Sequence, residues 1–160
     1  MVEDSYQKAY SYSLRLLNYR AQSIKGLTDK LKLKKYPQDI IDRIVSEFKK
    51  SGYLDDRSFA RAWVEDRMNF NPKAPRVLRI ELKQKGISDN IIENTLSDIN
   101  KRYNFTQIAY DLAKNRFKVL RSVHDAKKKK KRIFDYLIRR GFKFSTIYEV
   151  LNKVFKRNEN

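Results

Sequence analysis

The chain has 160 residues, with 37 lysines and arginines against 19 aspartates and glutamates. Its formal charge of +18 favours nucleic acid, an anionic surface or an acidic protein as partner. It holds no cysteine and one histidine, which excludes disulfides and thiolate zinc and leaves little for other metal chemistry, so no cofactor is expected. No apolar run approaches the roughly 18 residues that cross a bilayer, and Met1 to Asp4 is acidic rather than the basic start of a signal peptide; a cytoplasmic protein without membrane partners is expected.

A first helix is expected over Tyr6 to about Ala21, a second over about Ile24 to Lys35 and a third over about Pro37 to Lys50. Ser23 suits an N-cap, Pro37 the first turn of a helix, and Gly52 the left-handed position after one. Leu27 and Leu31 lie on one face, and Ile40, Ile41, Ile44, Val45 and Phe48 recur at the helical period, leaving Asp39, Arg43, Glu47 and Lys50 for water. The next helix opens at Asp55-Asp56 and turns Phe59, Trp63 and Val64 inward. Asn71-Pro72 breaks it, Pro75 starts another that Lys85-Gly86 ends, and a further helix covers about Ser88 to Lys101. Asn104 or Thr106 then begins a helix reaching about Arg121. After a loop at Ser122 to Asp125 a helix runs to Arg140, Gly141 turns the chain, and Ser145 starts the last helix.

These nine helices fall into three copies of one pattern. Leu27, Leu31, Tyr36, Ile41, Val45 and Phe48 reappear 51 residues later as Leu78, Leu82, Ile87, Ile92, Leu96 and Ile99. A further 55 residues on they become Ile133, Leu137, Phe142, Ile147, Leu151 and Val154. Upstream, Tyr12, Leu16, Leu17 and Arg20 match Phe59, Trp63, Val64 and Arg67, which in turn match Ile108, Leu112, Ala113 and Arg116. Such self-similarity predicts an all-α, elongated tandem array of three three-helix, helix-turn-helix-like repeats, at 5–54, 55–103 and 104–157, acting as a monomer.

The charge is uneven. Residues 5–54 carry eleven cations against four anions, 55–103 ten against eight, and 104–160 sixteen against five. The run Lys127-Lys128-Lys129-Lys130-Lys131-Arg132 lies at a helix start, where positive charge opposes the macrodipole and neighbouring lysines repel. A locally unfavourable stretch points to phosphate or acidic-partner contact over a neutral surface. Arg76, Arg79 and Lys83 are three and four apart on one helical face, Lys32, Lys34 and Lys35 crowd the equivalent helix of the first repeat, and Arg139-Arg140 end that of the third. Such a stripe suits a phosphate backbone or a row of carboxylates. Arg20, Arg67 and Arg116 recur at one repeat position, which reads first as a shared structural job. Most aromatic residues fall on core positions; Phe70, Tyr103 and Phe105, near repeat junctions, are the ones open to exposure.

Catalysis finds little support. The four glycines are far apart, so no phosphate loop exists, and His124 beside Asp125 has no nucleophile nearby. Asp55-Asp56 and Glu65-Asp66 could hold magnesium for a nuclease, but capping and ordinary helix-surface roles explain them more simply.

The segment Gly52-Tyr53-Leu54-Asp55-Asp56-Arg57-Ser58-Phe59-Ala60, followed by Leu82-Lys83-Gln84-Lys85-Gly86-Ile87 and Arg139-Arg140-Gly141-Phe142, resembles the RecX family of recombination regulators in order and spacing across almost the whole chain. The resemblance implies three-helix repeats lying in the groove of a RecA filament on single-stranded DNA, modulating its ATPase and strand exchange without catalysing a reaction. One departure is visible. The family's second helix commonly opens with a Ser-x-x-Glu capping box, where this chain has Ser23-Ile24-Lys25-Gly26, so the first repeat loses its reciprocal cap and its local stability is in question.

The leading expectation is therefore a regulator of the recombinase filament that probes it through Lys128, Lys130, Lys131, Arg132, Arg139 and Arg140 of the third repeat and Arg76, Arg79 and Lys83 of the second. The alternative is a sequence-nonspecific nucleic-acid-binding protein acting on DNA directly.

Overall fold

The computed structural model describes residues 2–156; Met1 and the expected last residue of the third repeat, 157, lie outside the described residues. Every regular element among them is helical: α1 (Val2–Tyr19), α2 (Ile24–Leu33), α3 (Gln38–Lys50), α4 (Asp56–Phe70), α5 (Pro75–Gln84), α6 (Asp89–Arg102), α7 (Phe105–Val119), α8 (Ala126–Arg139) and α9 (Phe144–Lys156). The repeated apolar pattern is the buried pattern. Of the eighteen positions, only Tyr36 and Val45 are half-buried and the rest are buried. Each fully buried leucine or isoleucine contributes about 1.5–3 kcal/mol by leaving water.

Helix ends follow local chemistry. Ser23 caps α2 by accepting from the Gly26 amide at 3.0 Å, Asn104 caps α7 by accepting from Gln107, and Asp55 starts α4 by accepting from the Arg57 amide and the Ser58 hydroxyl. Several expected boundaries shift by one or two residues; α7, for one, ends at Val119 rather than about Arg121. α1 stops at Tyr19 because the buried Gln22 folds back and donates its amide to the carbonyls of Leu16 and Arg20. Pro37 sits one residue ahead of the first turn of α3, as its N-cap, with ψ of 146°. The last helix begins at Phe144, one residue before Ser145.

The turn after the second helix of each repeat has one geometry. At Lys35, Gly86 and Gly141 the backbone takes positive φ (61°, 78° and 85°). The following residue donates to the carbonyl five back, Tyr36 to Leu31, Ile87 to Leu82 and Phe142 to Leu137, closing a Schellman motif in all three repeats. Two repeats fill this left-handed position with glycine and the first fills it with lysine; in all three the helix ends two residues before it, so α2 stops at Leu33 rather than at the expected Lys35.

The described residues form two compact units, one from 2–65 with 81–95, the other from 66–80 with 96–156, so α4, α5 and α6 each supply residues to both. The first unit's core gathers Tyr6, Ala9, Leu27, Leu31, Ile41, Ile44, Phe48 and Leu54. The second gathers Ala109, Ala113, Ile133, Leu137, Phe142, Ile147, Leu151 and Val154, with Ala74. Ser13, Ala60 and Ala109, which share one repeat position, are completely buried, and the Ser13 hydroxyl is satisfied by the Ala9 carbonyl at 2.8 Å. Only a small side chain lets helices approach this closely.

The missing capping box is repaired within the first unit. Asp56 accepts from the Ile24 amide at 2.9 Å, and the Ser23 hydroxyl donates to the Lys85 carbonyl at 2.7 Å, so α4 and the end of α5 hold the start of α2. The first repeat's weakness is met by residues of the second.

Candidate functional site

The lysine run opens α8 under an N-cap. Asp125 accepts from the amides of Lys127 and Lys128 at 2.9 and 3.1 Å, placing a carboxylate at the positive end of the helix dipole. The run is therefore less unfavourable than its lysines alone imply. Its side chains then diverge with the helical turn. Lys129 reaches over the Phe117 ring of α7, 4.5 Å from the centroid, and half-buries there. Lys127, Lys130 and Lys131 line an open groove of about 490 Å³ with Phe134, Tyr148 and Leu151. Lys128, Arg132 and Arg139 share an outer stripe of α8, one turn or two apart.

Two of these cations meet carboxylates. Lys131 pairs with Asp135 at 3.0 Å and Lys128 lies 4.0 Å from Asp125; all four groups are well exposed, so each contact is worth a few tenths of a kcal/mol and can be exchanged for another anion. Lys130, Arg132 and Arg139 are exposed. On α5, Arg76 is exposed, Arg79 is half-buried and engaged within the fold, and Lys83 pairs with Asp89 at 3.0 Å.

Arg140 differs from the rest of the expected contact set. Its guanidinium donates to the Pro72 carbonyl at 2.7 Å, lies 4.6 Å from the centroid of the Tyr136 ring, and its own carbonyl accepts from Ala74 at 2.8 Å. It is a latch between the α4–α5 loop and the α8–α9 turn, and its charge is spent inside the fold. Arg116 also lies over Tyr136, at 5.4 Å, with its Nε buried and unbonded, whereas Arg20 at the same repeat position is exposed. Arg20 and Arg116 therefore sit in unlike surroundings.

Sequence reasoning located Phe70, which is 85% exposed, while Tyr103 and Phe105 are half-buried. It missed Tyr19, Phe144 and Tyr148, exposed by 86%, 62% and 55%. Phe134 is stacked on Phe144 at 5.8 Å and tilted against Tyr148 at 5.7 Å, so exposed rings lie beside the lysines of α8. The signal was present in Phe144 and Tyr148, four apart and off the repeated apolar register.

Of the acidic pairs, Asp55-Asp56 serves helix starts, whereas Glu65-Asp66 lies within α4. Asp55 is held below the usual carboxylate range by the Ser58 hydroxyl and the Arg57 amide, as an N-cap should be. Burial pushes Asp56 upward, opposed by its bond from the Ile24 amide. No cluster of three or more metal-ligating side chains, and no helix long and apolar enough to cross a membrane, occurs among the described residues.

Models of the first, second and third three-helix domains of RecX match residues 9–48, 55–96 and 106–151. The chain is 35% identical over 156 residues to the regulatory protein RecX of Chlorobium phaeobacteroides (strain BS1), covering 98% of this chain and 99% of that protein. It is 34% identical over 159 residues to the regulatory protein RecX of Bacillus licheniformis, of which it spans 59%. Among solved structures, RecX from Lactobacillus salivarius superposes with a TM-score of 0.74 at 26% identity, over 95% of this chain and 97% of that one.

Proposed function

The chain belongs to the RecX family of regulatory proteins, and from that membership we propose that it is a non-enzymatic regulator of homologous recombination and repair. It binds the groove of a RecA-type recombinase filament on single-stranded DNA and lowers its ATPase and strand-exchange activity. The observation that carries this reading is the concentration of exposed cations on the third repeat, where Lys128, Arg132 and Arg139 form an outer stripe on α8 and Lys130 lies on a second face. A filament offers carboxylates and phosphates in a periodic row. Linked repeats, taken as 5–54, 55–103 and 104–157, make each contact after the first intramolecular, so a cytoplasmic monomer gains affinity from several weak contacts.

A second reading is favoured by the exposed Phe144 and Tyr148 beside Lys127 and Lys130. Aromatic faces next to cations suit unpaired bases and their phosphates, so the protein would act on DNA directly as a sequence-nonspecific binder. Titration at 0.15 M salt of recombinase-coated and bare single-stranded DNA separates the two. Filament regulation requires much tighter binding to the coated strand together with slower ATP hydrolysis; equal affinity for bare DNA supports the second reading.

A further inference from the structure

A cavity of about 520 Å³ lies in the second unit, between the α4–α5 loop and the α8–α9 turn. Its apolar walls come from Phe105, Ile138 and Phe142, its charged groups are Arg76 and Lys143, and no carboxylate lines it. We propose that this cavity docks an acidic segment of a partner protein by taking up an aromatic side chain between flanking carboxylates. The site goes beyond the filament reading and does not depend on it.

The walls are fixed before any ligand arrives. Arg140 ties the two loops together through its carbonyl to Ala74 and its guanidinium to Pro72, at 2.8 and 2.7 Å. Gly141 brings the turn so close that a Cβ on it would fall 2.6 Å from Val77 Cγ2. A preorganised cavity loses little freedom on binding. Its volume falls within the range of small-molecule and side-chain sites, with an apolar body and a few placed polar groups.

The chemistry of the occupant follows from the lining. Apolar walls with only cations call for an apolar body carrying negative charge. Phe144 stands at the mouth with 62% of its surface in water, stacked on Phe134 and continuing towards Tyr148. A small free acid would leave these rings wet, whereas a peptide covers them while its side chain enters the cavity. Two cations at the lining match one or two carboxylates rather than a track of phosphates, whose partners would be the lysines beside Tyr148.

The test uses the full chain and a fluorescein-labelled, N-acetylated Asp-Glu-Phe-Asp-Glu amide, followed by fluorescence anisotropy at 0.15 M salt. Replacing the peptide phenylalanine by alanine is expected to weaken binding about tenfold or more, since a buried aromatic side chain carries that much affinity. The pair Arg76→Ser and Lys143→Ser is expected to weaken it about tenfold as well. Thr146→Trp fills the cavity without changing charge and is expected to abolish binding at unchanged helicity. Equal binding of the alanine peptide, or of the native peptide to a helical Thr146→Trp protein, overturns the proposal. So does tighter binding of a thymidine pentanucleotide that is lost in the same variants, which would assign the cavity to nucleic acid. If Thr146→Trp lowers helicity, the exposed-cation pair decides: unchanged affinity there rejects the site.

Discussion

Replacing Gly141 by alanine strikes the turn that joins α8 to α9 and holds the α4–α5 loop. Gly141 has φ of +85°, where an L side chain costs about 1–2 kcal/mol. Its new Cβ would also fall 2.6 Å from Val77 Cγ2 and 3.2 Å from the Val77 amide nitrogen. Part of that contact is backbone, so rotamer change alone cannot relieve it, and overpacking of this kind adds about 1–3 kcal/mol. The expected loss is about 2–5 kcal/mol. With a urea m-value of about 2 kcal/mol per M, the midpoint falls by about 1–2.5 M. Gly52→Ala provides the internal control, because Gly52 has φ of +78° with nothing within 4 Å of the added methyl, and it should lose only the backbone term. A Gly141→Ala protein no less stable than Gly52→Ala would refute the close-approach argument.

Lys35→Gly places glycine where the other two repeats already have it and should raise stability by about 0.5–1 kcal/mol in the same urea titration, as the φ of 61° becomes unstrained. The Tyr6 hydroxyl donates to Glu47 and its pKa is pushed up to about 12, first by that bond and then by burial. The folded state thus keeps a proton that the unfolded chain loses near pH 10. Stability from this group is complete below pH 10 and is lost as the pH rises towards 12; Tyr6→Phe should remove that component from the pH dependence of unfolding. Asp56→Asn keeps an acceptor for the Ile24 amide and sheds a half-buried charge, so it should be nearly neutral, whereas Asp56→Ala orphans the amide and should cost about 1–2 kcal/mol. A nuclease would instead lose cleavage in Asp55→Asn and Asp56→Asn proteins, which a gel assay with magnesium and single-stranded DNA reads directly.

The helices were legible because the apolar period and the punctuating residues agree. Leu78, Leu82, Ile92 and Ile99 are buried where the pattern puts them, and Asn104, Ser23 and Asp55 cap where their side chains suggest. Tertiary substitutions for local signals were not legible. Nothing in Ser23-Ile24-Lys25-Gly26 announces that a carboxylate 32 residues away will cap Ile24. The same holds for charge. Arg139 and Arg140 are neighbours of identical type, yet one projects into water and the other latches a loop, because a helix end turns adjacent side chains in different directions. The run at 127–132 read as one patch, but the helix distributes it over the α7 side, the α9 groove and the outer stripe. Only the last two remain available to a partner.

Co-sedimentation with recombinase filaments across a salt titration, comparing the native chain with a Lys128→Gln, Lys130→Gln, Arg132→Gln variant, tests the central claim most directly. Filament-bound protein should fall in the variant, and the slope of log affinity against log salt should shrink by about 0.7–0.9 for each phosphate contact removed, at unchanged helicity. Identical affinity and identical salt slope for the two proteins would contradict the assignment of these cations to filament binding.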